Sequence, residues 1–396
     1  MNNLLNIIKN KKYQLVLFAL ITLVLITRWL LIPVINNAIN IGDTWQSKAS
    51  EQAIAKVKPI QKINFSRKPA VLQAQLHSYL AQNHLNAVAV TTVTGSKVPM
   101  VVANGNISNF SNDKLDENSV FQIASIQKIF TAIIIQRLIE EGELNLRTPI
   151  DQFYPNIPYG NKITVWNLLT HTSGIVDGNY KKIREITNEQ EQVDYVRQHL
   201  ISTRPHYVYS SANFSLLAGI IMQVTNQSYK QNVTEDILQP LGLNNTYFYQ
   251  DIPEGTNLVY PNYVKTHIQQ AFFNYDIRKQ MSLLIGAGQI YSTPADYFEF
   301  LTALMEGKLI PKKDFPLFFP VHNHDYYNGL YSFYGNYQAG GSQSGYNLSF
   351  VINPITHAQT VVFSSNYMLI PNKTLASEIF VIANRKTKTI HWLPQY

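Results

Sequence analysis

Phe121-Gln-Ile-Ala-Ser125-Ile-Gln-Lys128-Ile-Phe-Thr-Ala-Ile-Ile-Ile-Gln-Arg-Leu-Ile-Glu140 is the stretch that decides the fold. From Ile129 onward it is apolar nearly all round, a pattern typical of a helix at the centre of a domain. Lys128 stands three residues after Ser125, so a helix places its amine on the same face as the serine hydroxyl, one turn further on. The segment therefore predicts a buried helix that begins with a serine and a lysine side by side.

This pair of residue types suits nucleophilic catalysis. A serine hydroxyl is a poor nucleophile until a neighbouring group takes its proton. An amine in a buried site favours its neutral form, so Lys128 is the candidate base and Ser125 the candidate nucleophile. The structural alternative is a capping serine followed by a snorkelling lysine. The same spacing recurs at Ser111-Asn-Asp-Lys114, but that copy lies in an Asn/Asp-rich turn with no helix behind it and indicates chance.

Later segments strengthen the catalytic interpretation because they resemble one known superfamily in both order and spacing. The resemblance is to the serine β-lactamase-like proteins, which include penicillin-binding proteins, class C β-lactamases, D,D-carboxypeptidases and related esterases. It covers about residues 70–380. The segments that carry it, besides the Ser125 helix, are LNLRTPIDQFYPN (144–156), ITVWNLLTHTSG (163–174), YSSANFSLLAG (209–219), QPLGLNNT (239–246) and GAGQIYSTPAD (286–296).

The expected fold class is α+β. Residues 87–93 and 99–103 read as strands near the start of the domain, and residues 346–352 and 360–364 as strands near its end. The middle, from about 125 to 308, is mostly helical, and residues 373–385 predict an amphipathic closing helix. An antiparallel sheet built from both chain ends and flanked by helices, with an inserted mostly helical lobe, follows from this order. The resemblance implies the same architecture, with the active site between sheet and lobe.

The resemblance also implies a second catalytic element. Tyr209 matches the tyrosine of the family's Y-x-N motif, whose phenol would sit beside Ser125 and Lys128 and pass a proton to the leaving group. The third position of the motif is Ser211 rather than asparagine, so it offers a hydroxyl in place of an amide. Taken without that context, Tyr209 is better explained by packing than by catalysis, and the helix that follows it and the family context reverse this interpretation.

A third element is expected at residues 338–346, where the family has K-T-G or H-x-G on a strand lining the site. Here Gln338 replaces the cation, followed by Ala339 and Gly340 as the small substrate-binding positions. The resemblance implies an oxyanion hole made by the backbone N–H groups of Ser125 and Gly341. A plain hairpin turn is the alternative for this Gly/Ser run.

Other residues look functional but favour structural roles. His171 is expected to be structural, because the family's histidine at this place is not the base. His322-Asn-His324 has the appearance of a metal site without a third ligand near it in the chain, so no metal and no cofactor are expected. The tyrosines between 326 and 337 could line a groove for carbohydrate, although half-buried packing is the commoner role.

The N-terminal region predicts a membrane anchor. Residues 1–12 form a basic tail, residues 13–35 are apolar with the single charge Arg28, and residues 36–68 read as a polar stalk before a hydrolase domain at 69–396. Lysines before the span favour a cytoplasmic N-terminus and an extracellular domain. A cleaved signal peptide is the alternative, disfavoured because no small-x-small site follows closely.

Composition excludes several function classes. The chain of 396 residues has no cysteine, which excludes disulfides, thiolate metal sites and a catalytic thiol. Its formal net charge is +7, and Lys9, Lys11, Lys12 and Arg28 carry four of those charges before the stalk. The remainder is only mildly basic and shows no clustered basic face, so nucleic acid is not an expected partner. An anionic cell-envelope polymer suits it better.

The missing cation informs the expected substrate. Relatives that act on peptidoglycan stems or β-lactams use that cation to hold a substrate carboxylate, and losing it removes a charge-assisted bond worth ~1.5–3 kcal/mol. A D-alanyl ester of teichoic or lipoteichoic acid carries an ammonium and lacks that carboxylate. The sequence therefore favours a D-alanyl esterase of the cell envelope. The alternatives are a D,D-carboxypeptidase, a β-lactamase (disfavoured by Gln338 and Ser211) and a non-catalytic cell-wall binding protein.

Overall fold

The computed structural model of the protein describes residues 68–94, 96, 98–180, 184–320, 322, 325–366 and 374–384. The predicted tail, anchor and all but the last residue of the predicted stalk lie outside these residues. Within the described ranges, no helix has both the length and the apolar character needed to cross a bilayer.

The described chain has strands mainly near its two ends and helices mainly between them. The helices are α1 (Pro69–Gln82), α2 (Lys128–Glu140), α3 (Val165–Leu169), α4 (Glu189–His199), α5 (Ser211–Thr225), α6 (Tyr229–Val233), α7 (Gln239–Leu241), α8 (His267–Met281), α9 (Pro294–Glu306), α10 (Phe315–Phe318) and α11 (Thr374–Asn384). The strands are β1 (Ala87–Thr91), β2 (Met100–Asn104), β3 (Phe121–Gln122), β4 (Ile175–Val176), β5 (Ile201–Ser202), β6 (Tyr247–Phe248), β7 (Ile290–Ser292), β8 (Tyr326–Tyr327), β9 (Leu330–Phe333), β10 (Asn336–Gln343), β11 (Tyr346–Ile352) and β12 (Gln359–Ser364).

One antiparallel sheet unites the two ends of the domain. Its seven strands run in the order β2-β1-β12-β11-β10-β9-β8, so β1 from the start of the domain pairs with β12 from its end. In that pairing Ala87 lies opposite Ser364 and Thr91 opposite Thr360. The expected α+β class, with an antiparallel sheet built from both chain ends, is confirmed. Two smaller sheets in the helical region, β3-β7-β6 and β4-β5, were not expected from the sequence.

The two faces of the sheet bury different layers. Because side chains alternate along a strand, Val88 and Val90 face the helical lobe while Ala87 and Ala89 face the opposite layer. The lobe side carries α2, α5 and α9, and the opposite side carries α1 and α11. The main core therefore lies between the sheet and the lobe, and the face of β10 that points to the lobe is the one that can meet Ser125.

Caps at helix starts follow local sequence. Thr164 accepts the N–H of Asn167, whose side chain accepts the N–H of Thr164 in return, a capping box that starts α3. Thr293 caps α9, which has Pro294 in its first turn. Both segments belong to the stretches quoted above, so part of that sequence pattern has a local structural cause.

An acidic side chain between α1 and α11 gives the fold a pH dependence. Burial raises the pKa of the Glu378 carboxyl to about 7, and burial followed by this carboxylate raises the pKa of the Tyr79 phenol. The folded protein therefore keeps a proton that the unfolded chain releases near its ordinary value of 4.5, and stability is lost as the pH rises from there through 7.

Glu378→Gln removes the titrating group and keeps its shape. At pH 8 we expect the variant to unfold with a free energy about 1–3 kcal/mol above that of the parent protein. At pH 4.5 the two should differ much less, since the parent carboxyl is then protonated in the folded state. Urea denaturation at both pH values measures this, and a constant difference between the proteins would show that the Glu378 pKa is the same in the folded and unfolded states.

Candidate active site

Ser125 lies in a tight turn that leads directly into α2. The turn is a 3₁₀ segment, Ala124–Gln127, and Lys128 is the first residue of α2. Residues i and i+3 eclipse one another in 3₁₀ geometry, which aligns the two side chains. The Lys128 Nζ donates to the Ser125 Oγ across 2.9 Å. Ala124, just before the serine, has a φ of 48°, a backbone conformation that costs energy in a residue with a Cβ.

Lys128 is fully buried and surrounded by uncharged groups. Its Nζ also donates to the Ser211 Oγ at 3.3 Å and to the Ala287 carbonyl at 3.5 Å. The ring of Tyr209 lies 5.0 Å from the Nζ. In the described part of the chain, Lys128 forms no ion pair with a carboxylate. An amine in direct contact with a serine hydroxyl has the geometry for proton transfer from that serine.

Residues 286–292 hold the serine turn and the first turn of α2 in place through hydrogen bonds. The side-chain oxygen of Gln127 accepts the backbone N–H groups of Gln289 and Ile290, the latter at 2.9 Å. Thr131 donates to the Gly286 carbonyl at 2.7 Å. Gly286 has a φ of 72°, and a Cβ there would lie 2.4 Å from the Phe214 carbonyl oxygen. These contacts explain why a glycine-rich stretch far along the chain belongs to the same constellation as Ser125.

Tyr209 lies at the mouth of the site with 41% of its surface exposed. Its ring contacts His171 at 4.2 Å and Tyr326 at 5.8 Å between centroids. Among the residues that the structure describes, no hydrogen bond joins the Tyr209 phenol to Ser125 or Lys128. The structure therefore brings the Tyr209 ring to the Lys128 amine, but not its hydroxyl to the reacting pair.

His171 is buried between two aromatic rings. Its ring packs at a tilt against Tyr209 and against Tyr326, whose centroid is 4.5 Å away. Its Nδ1 accepts the backbone N–H of Ser210 at 3.4 Å and lies 2.9 Å from the Asn213 amide nitrogen. Burial, and then the charge of Lys128, lower the pKa of His171 to about 2. A neutral imidazole whose Nδ1 lone pair already accepts a hydrogen bond is poorly suited to act as a base. We therefore interpret His171 as a structural residue that supports the Tyr209 ring.

The lowered pKa of His171 predicts loss of stability in acid. Below pH 6.5 the unfolded chain binds a proton on this histidine that the folded protein excludes until about pH 2, so folding weakens as the pH falls through that window. Between pH 7 and 5 this residue should cost about 2 kcal/mol. His171→Gln should reduce that slope in unfolding free energy, and the exposed His357→Gln is the matched control. Equal slopes in parent and His171→Gln would exclude this cause.

Strand β10 presents different residues to the site from those expected. Ala339 pairs with Phe350 in the main core, whereas Gln338 pairs with Val351 in the layer of α1 and α11. The Gln338 amide oxygen accepts the Ser377 hydroxyl of α11 at 3.2 Å. Gln338 thus points away from Ser125, and the assignment of Gln338 to the cation position is off by one residue. Ala339 occupies the position that faces the site.

The backbone N–H of Gly341, which was expected in an oxyanion hole, does not point toward the free edge of β10. Ser344 and Gly345 have φ values of 49° and 94°, as in a type I′ hairpin turn, and Gln343 faces Tyr346 across it. The residues flanking such a turn exchange both backbone bonds, and pairs alternate from there. The Gly341 N–H is therefore directed to Leu348, and the Ser342 N–H points to the other edge of β10. Strand β9 covers that edge only from Asn336 to Gln338.

Gly341 instead allows β10 to approach the backbone of the Ser125 turn closely. A Cβ built on it would lie 2.9 Å from the Ser125 backbone nitrogen, so the strand and the serine turn meet at this residue. The structure thus brings together four of the predicted site residues, Ser125, Lys128, Ser211 and Gly341. Ala339 and Gly340 lie on the same strand as Gly341, whereas the Gln338 side chain points away from the site.

Sequence reasoning did not single out Ser342 or Asp177. Asp177 accepts the N–H groups of Ser211 at 3.0 Å and Ala212 at 2.7 Å, at the start of α5.

The described part of the chain contains no candidate metal site. There, no group of three or more His, Asp or Glu side chains could hold an ion. His324 of the predicted His-Asn-His pattern lies outside the described residues.

Comparison with known proteins places this geometry in a family. The Beta-lactamase family model matches residues 72–365. The Bacillus subtilis (strain 168) protein PbpX, assigned to the penicillin-binding proteins, is 28% identical over 360 residues, 86% of each chain. The teichoic acid D-alanine hydrolase of Staphylococcus aureus is 29% identical over 198 residues, 50% of this chain and 48% of that protein. This chain therefore spans about half the length of the staphylococcal relative.

The solved structures agree on the fold. A D-amino acid amidase from Ochrobactrum anthropi superposes with a TM-score of 0.65 at 21% identity, covering 78% of this chain and 96% of that one. The fold and family expected from the sequence are therefore confirmed, and the chain belongs to the beta-lactamase family of serine hydrolases.

Proposed function

We propose that the protein is an acyl hydrolase in which Ser125 is the nucleophile and Lys128 its base. The observation that carries the proposal is the 2.9 Å contact between the Lys128 Nζ and the Ser125 Oγ at a buried, uncharged site. Lys128 would take the serine proton as Ser125 attacks a carbonyl carbon, and Ser211 would hold the amine in place from its other side. Water would then hydrolyse the acyl-enzyme.

Two backbone N–H groups would stabilise the tetrahedral oxyanion. Ser125 supplies one, and the β10–β11 register supports Ser342 as the other, in place of Gly341. Tyr209 is the proposed proton donor to the leaving group. Its position over Lys128 and its exposure at the mouth support this role, which requires the phenol to reach the ester oxygen once substrate is bound.

The proposed substrate is a D-alanyl ester of teichoic or lipoteichoic acid. The main-core face of β10 carries Ala339, which offers no cation to a substrate carboxylate, so a substrate without that carboxylate would lose no contact here. The staphylococcal relative is a teichoic acid D-alanine hydrolase, which supports the same substrate class. A D,D-carboxypeptidase is the second candidate, because PbpX, which is named as a penicillin-binding protein, matches this chain over most of its length.

We also propose that residues 13–35 anchor the chain in the cell membrane with the hydrolase domain outside. The support is the apolar run itself and the lysines before it. This placement would put the site on the same side as a polymer held in that membrane. Retention of the full chain in membranes after alkaline carbonate extraction tests the anchor, and release by carbonate would contradict it.

The function is tested by offering two substrates to the purified full chain. D-Alanine release from lipoteichoic acid and not from a pentapeptide stem is expected. Release from the stem alone would overturn the ester assignment in favour of a carboxypeptidase. Release from neither, with retained polymer binding, would indicate a wall-binding protein on an inactive fold.

A further inference from the structure

Asp177 is an exposed carboxylate that contacts Ser211, the neighbour of Lys128. Its two oxygens accept the backbone N–H groups of Ser211 and Ala212, the first two residues of α5. The Ser211 hydroxyl in turn accepts from the Lys128 amine at 3.3 Å. The carboxylate is therefore fixed on the same residue that contacts the proposed base.

The Asp177 carboxylate can accept hydrogen bonds beyond those it receives from the described residues. Within the described residues, Asp177 forms no ion pair with a lysine, arginine or histidine. Each carboxylate oxygen can accept two hydrogen bonds, and from the described part of the chain each one accepts a single backbone N–H. The remaining lone pairs are available to a charged donor that arrives from solvent.

The other groups described around Ser125 do not include a cation that could bind a substrate carboxylate. Ala339 brings no charge from β10, and Lys128 is turned toward Ser125, Ser211 and the Ala287 carbonyl. Tyr209, two residues before Ser211, exposes part of its ring at the mouth, and aromatic faces also attract cations. Among the described groups named above, Asp177 is the exposed charge, and its negative sign disfavours an acyl group bearing a carboxylate and favours one bearing an ammonium.

We propose that Asp177 binds the α-ammonium of the aminoacyl group being transferred, so that the site selects D-aminoacyl esters over uncharged acyl esters. This assignment rests on the proposed function. In an alanyl ester the ammonium nitrogen lies about 2.5 Å from the carbonyl carbon that Ser125 attacks, so its counter-ion must lie in the shell around that serine. Asp177 supplies such a counter-ion, and two backbone bonds hold it in position.

A helix cap alone explains the two backbone bonds but not a substrate preference. Asp177→Asn keeps an oxygen acceptor at the start of α5 and removes the charge, which separates the two roles. Asp177→Glu restores the charge on a longer side chain. Thr266→Ala, which removes the side-chain cap of α8, is the matched control for loss of a cap elsewhere.

The experiment compares two esters of one alcohol with the full chain. The substrates are D-alanylglycerol and propionylglycerol, which differ only by the ammonium. The measured quantity is the ratio of their kcat/KM values. We expect Asp177→Asn to lower this ratio about 10- to 100-fold, chiefly through a higher KM for the alanyl ester, because a charge-assisted bond is lost. Asp177→Glu should recover part of the ratio, and Thr266→Ala should leave the ratio at the parent value.

Each other outcome overturns the assignment. If Asp177→Asn slows both esters equally, the residue acts as a cap alone, and if neither ester changes, the carboxylate does not face substrate. In both cases the parent enzyme still cleaves the alanyl ester, and the proposed function stands. If the parent enzyme cleaves the propionyl ester alone, or neither ester, the proposed function and this assignment fail together.

Discussion

Ser125→Ala is expected to lower kcat for D-alanine release by on the order of 10⁴–10⁶ while leaving polymer binding measurable. The alanine removes the only atom that can form the acyl-enzyme, and the loss of one member of a catalytic unit costs nearly the whole of its rate acceleration. Single-turnover hydrolysis of lipoteichoic acid and equilibrium binding of the same polymer are the two measurements. Turnover that survives the substitution would remove Ser125 from the mechanism.

The chain offers its own control for this substitution. Ser111 and Lys114 repeat the S-x-x-K spacing, but the Ser111 hydroxyl binds Asp113 and the Lys114 amine binds Asn106, both at the surface. Ser111→Ala should therefore retain the activity of the parent protein. Loss of activity in both serine variants would point to a defect common to the two, such as misfolding, and thermal unfolding would identify it.

Lys128→Met extends the same prediction to the base. Methionine fills a similar volume without an amine, so turnover should fall by a factor close to that of Ser125→Ala, and the double variant should be no slower than either single one. Stability should not fall, because an apolar side chain replaces a buried amine that pairs with no carboxylate of the described residues. A double variant slower by the product of the two factors would show that the residues act independently.

The fold and the reacting pair were accessible from sequence for a physical reason. Apolar residues on every face of residues 129–139 require a central helix, and strand-like runs at both ends of the domain require a sheet that joins them. The strand expected at 346–352 agrees with Tyr346–Ile352, and the closing helix expected at 373–385 agrees with Thr374–Asn384 to one residue at each end. Spacings within one helical turn are set by local geometry, so Ser125 and Lys128 were paired correctly in space.

The third element was misassigned because its sequence lacks the signal that determines register. Ala339, Gly340 and Gly341 are all small, so no alternation of apolar and polar side chains shows which residues face the core. A shift of one residue in a strand moves every side chain to the opposite face, and Gln338 was placed in the site by such a shift. Asp177 was missed for another reason: an aspartate in a loop is commonplace until α5 is found to begin beside it.

Gly341→Ala is expected to be the most damaging conservative substitution outside the reacting pair. The added Cβ would lie 2.9 Å from the Ser125 nitrogen, 3.0 Å from the Ala124 Cβ and 3.0 Å from the Ile123 carbonyl oxygen. Two of these are backbone atoms that cannot rotate away, so the serine turn and β10 must separate. The Ser125 N–H would then move relative to the Ser342 N–H, and an oxyanion donor out of place costs on the order of 10²–10³ in kcat.

Gly160→Ala provides the matched control for this steric effect. Its Cβ would lie 3.0 Å from the Ile157 carbonyl oxygen and 3.3 Å from the Asp151 Cβ, and like Gly341 it has no left-handed backbone to lose. Each variant should cost about 1–3 kcal/mol of stability, but only Gly341→Ala should lower kcat. Equal activity in the two variants would mean that the Ser125 turn tolerates displacement from β10, and the oxyanion hole would then have to be sought at another pair of donors.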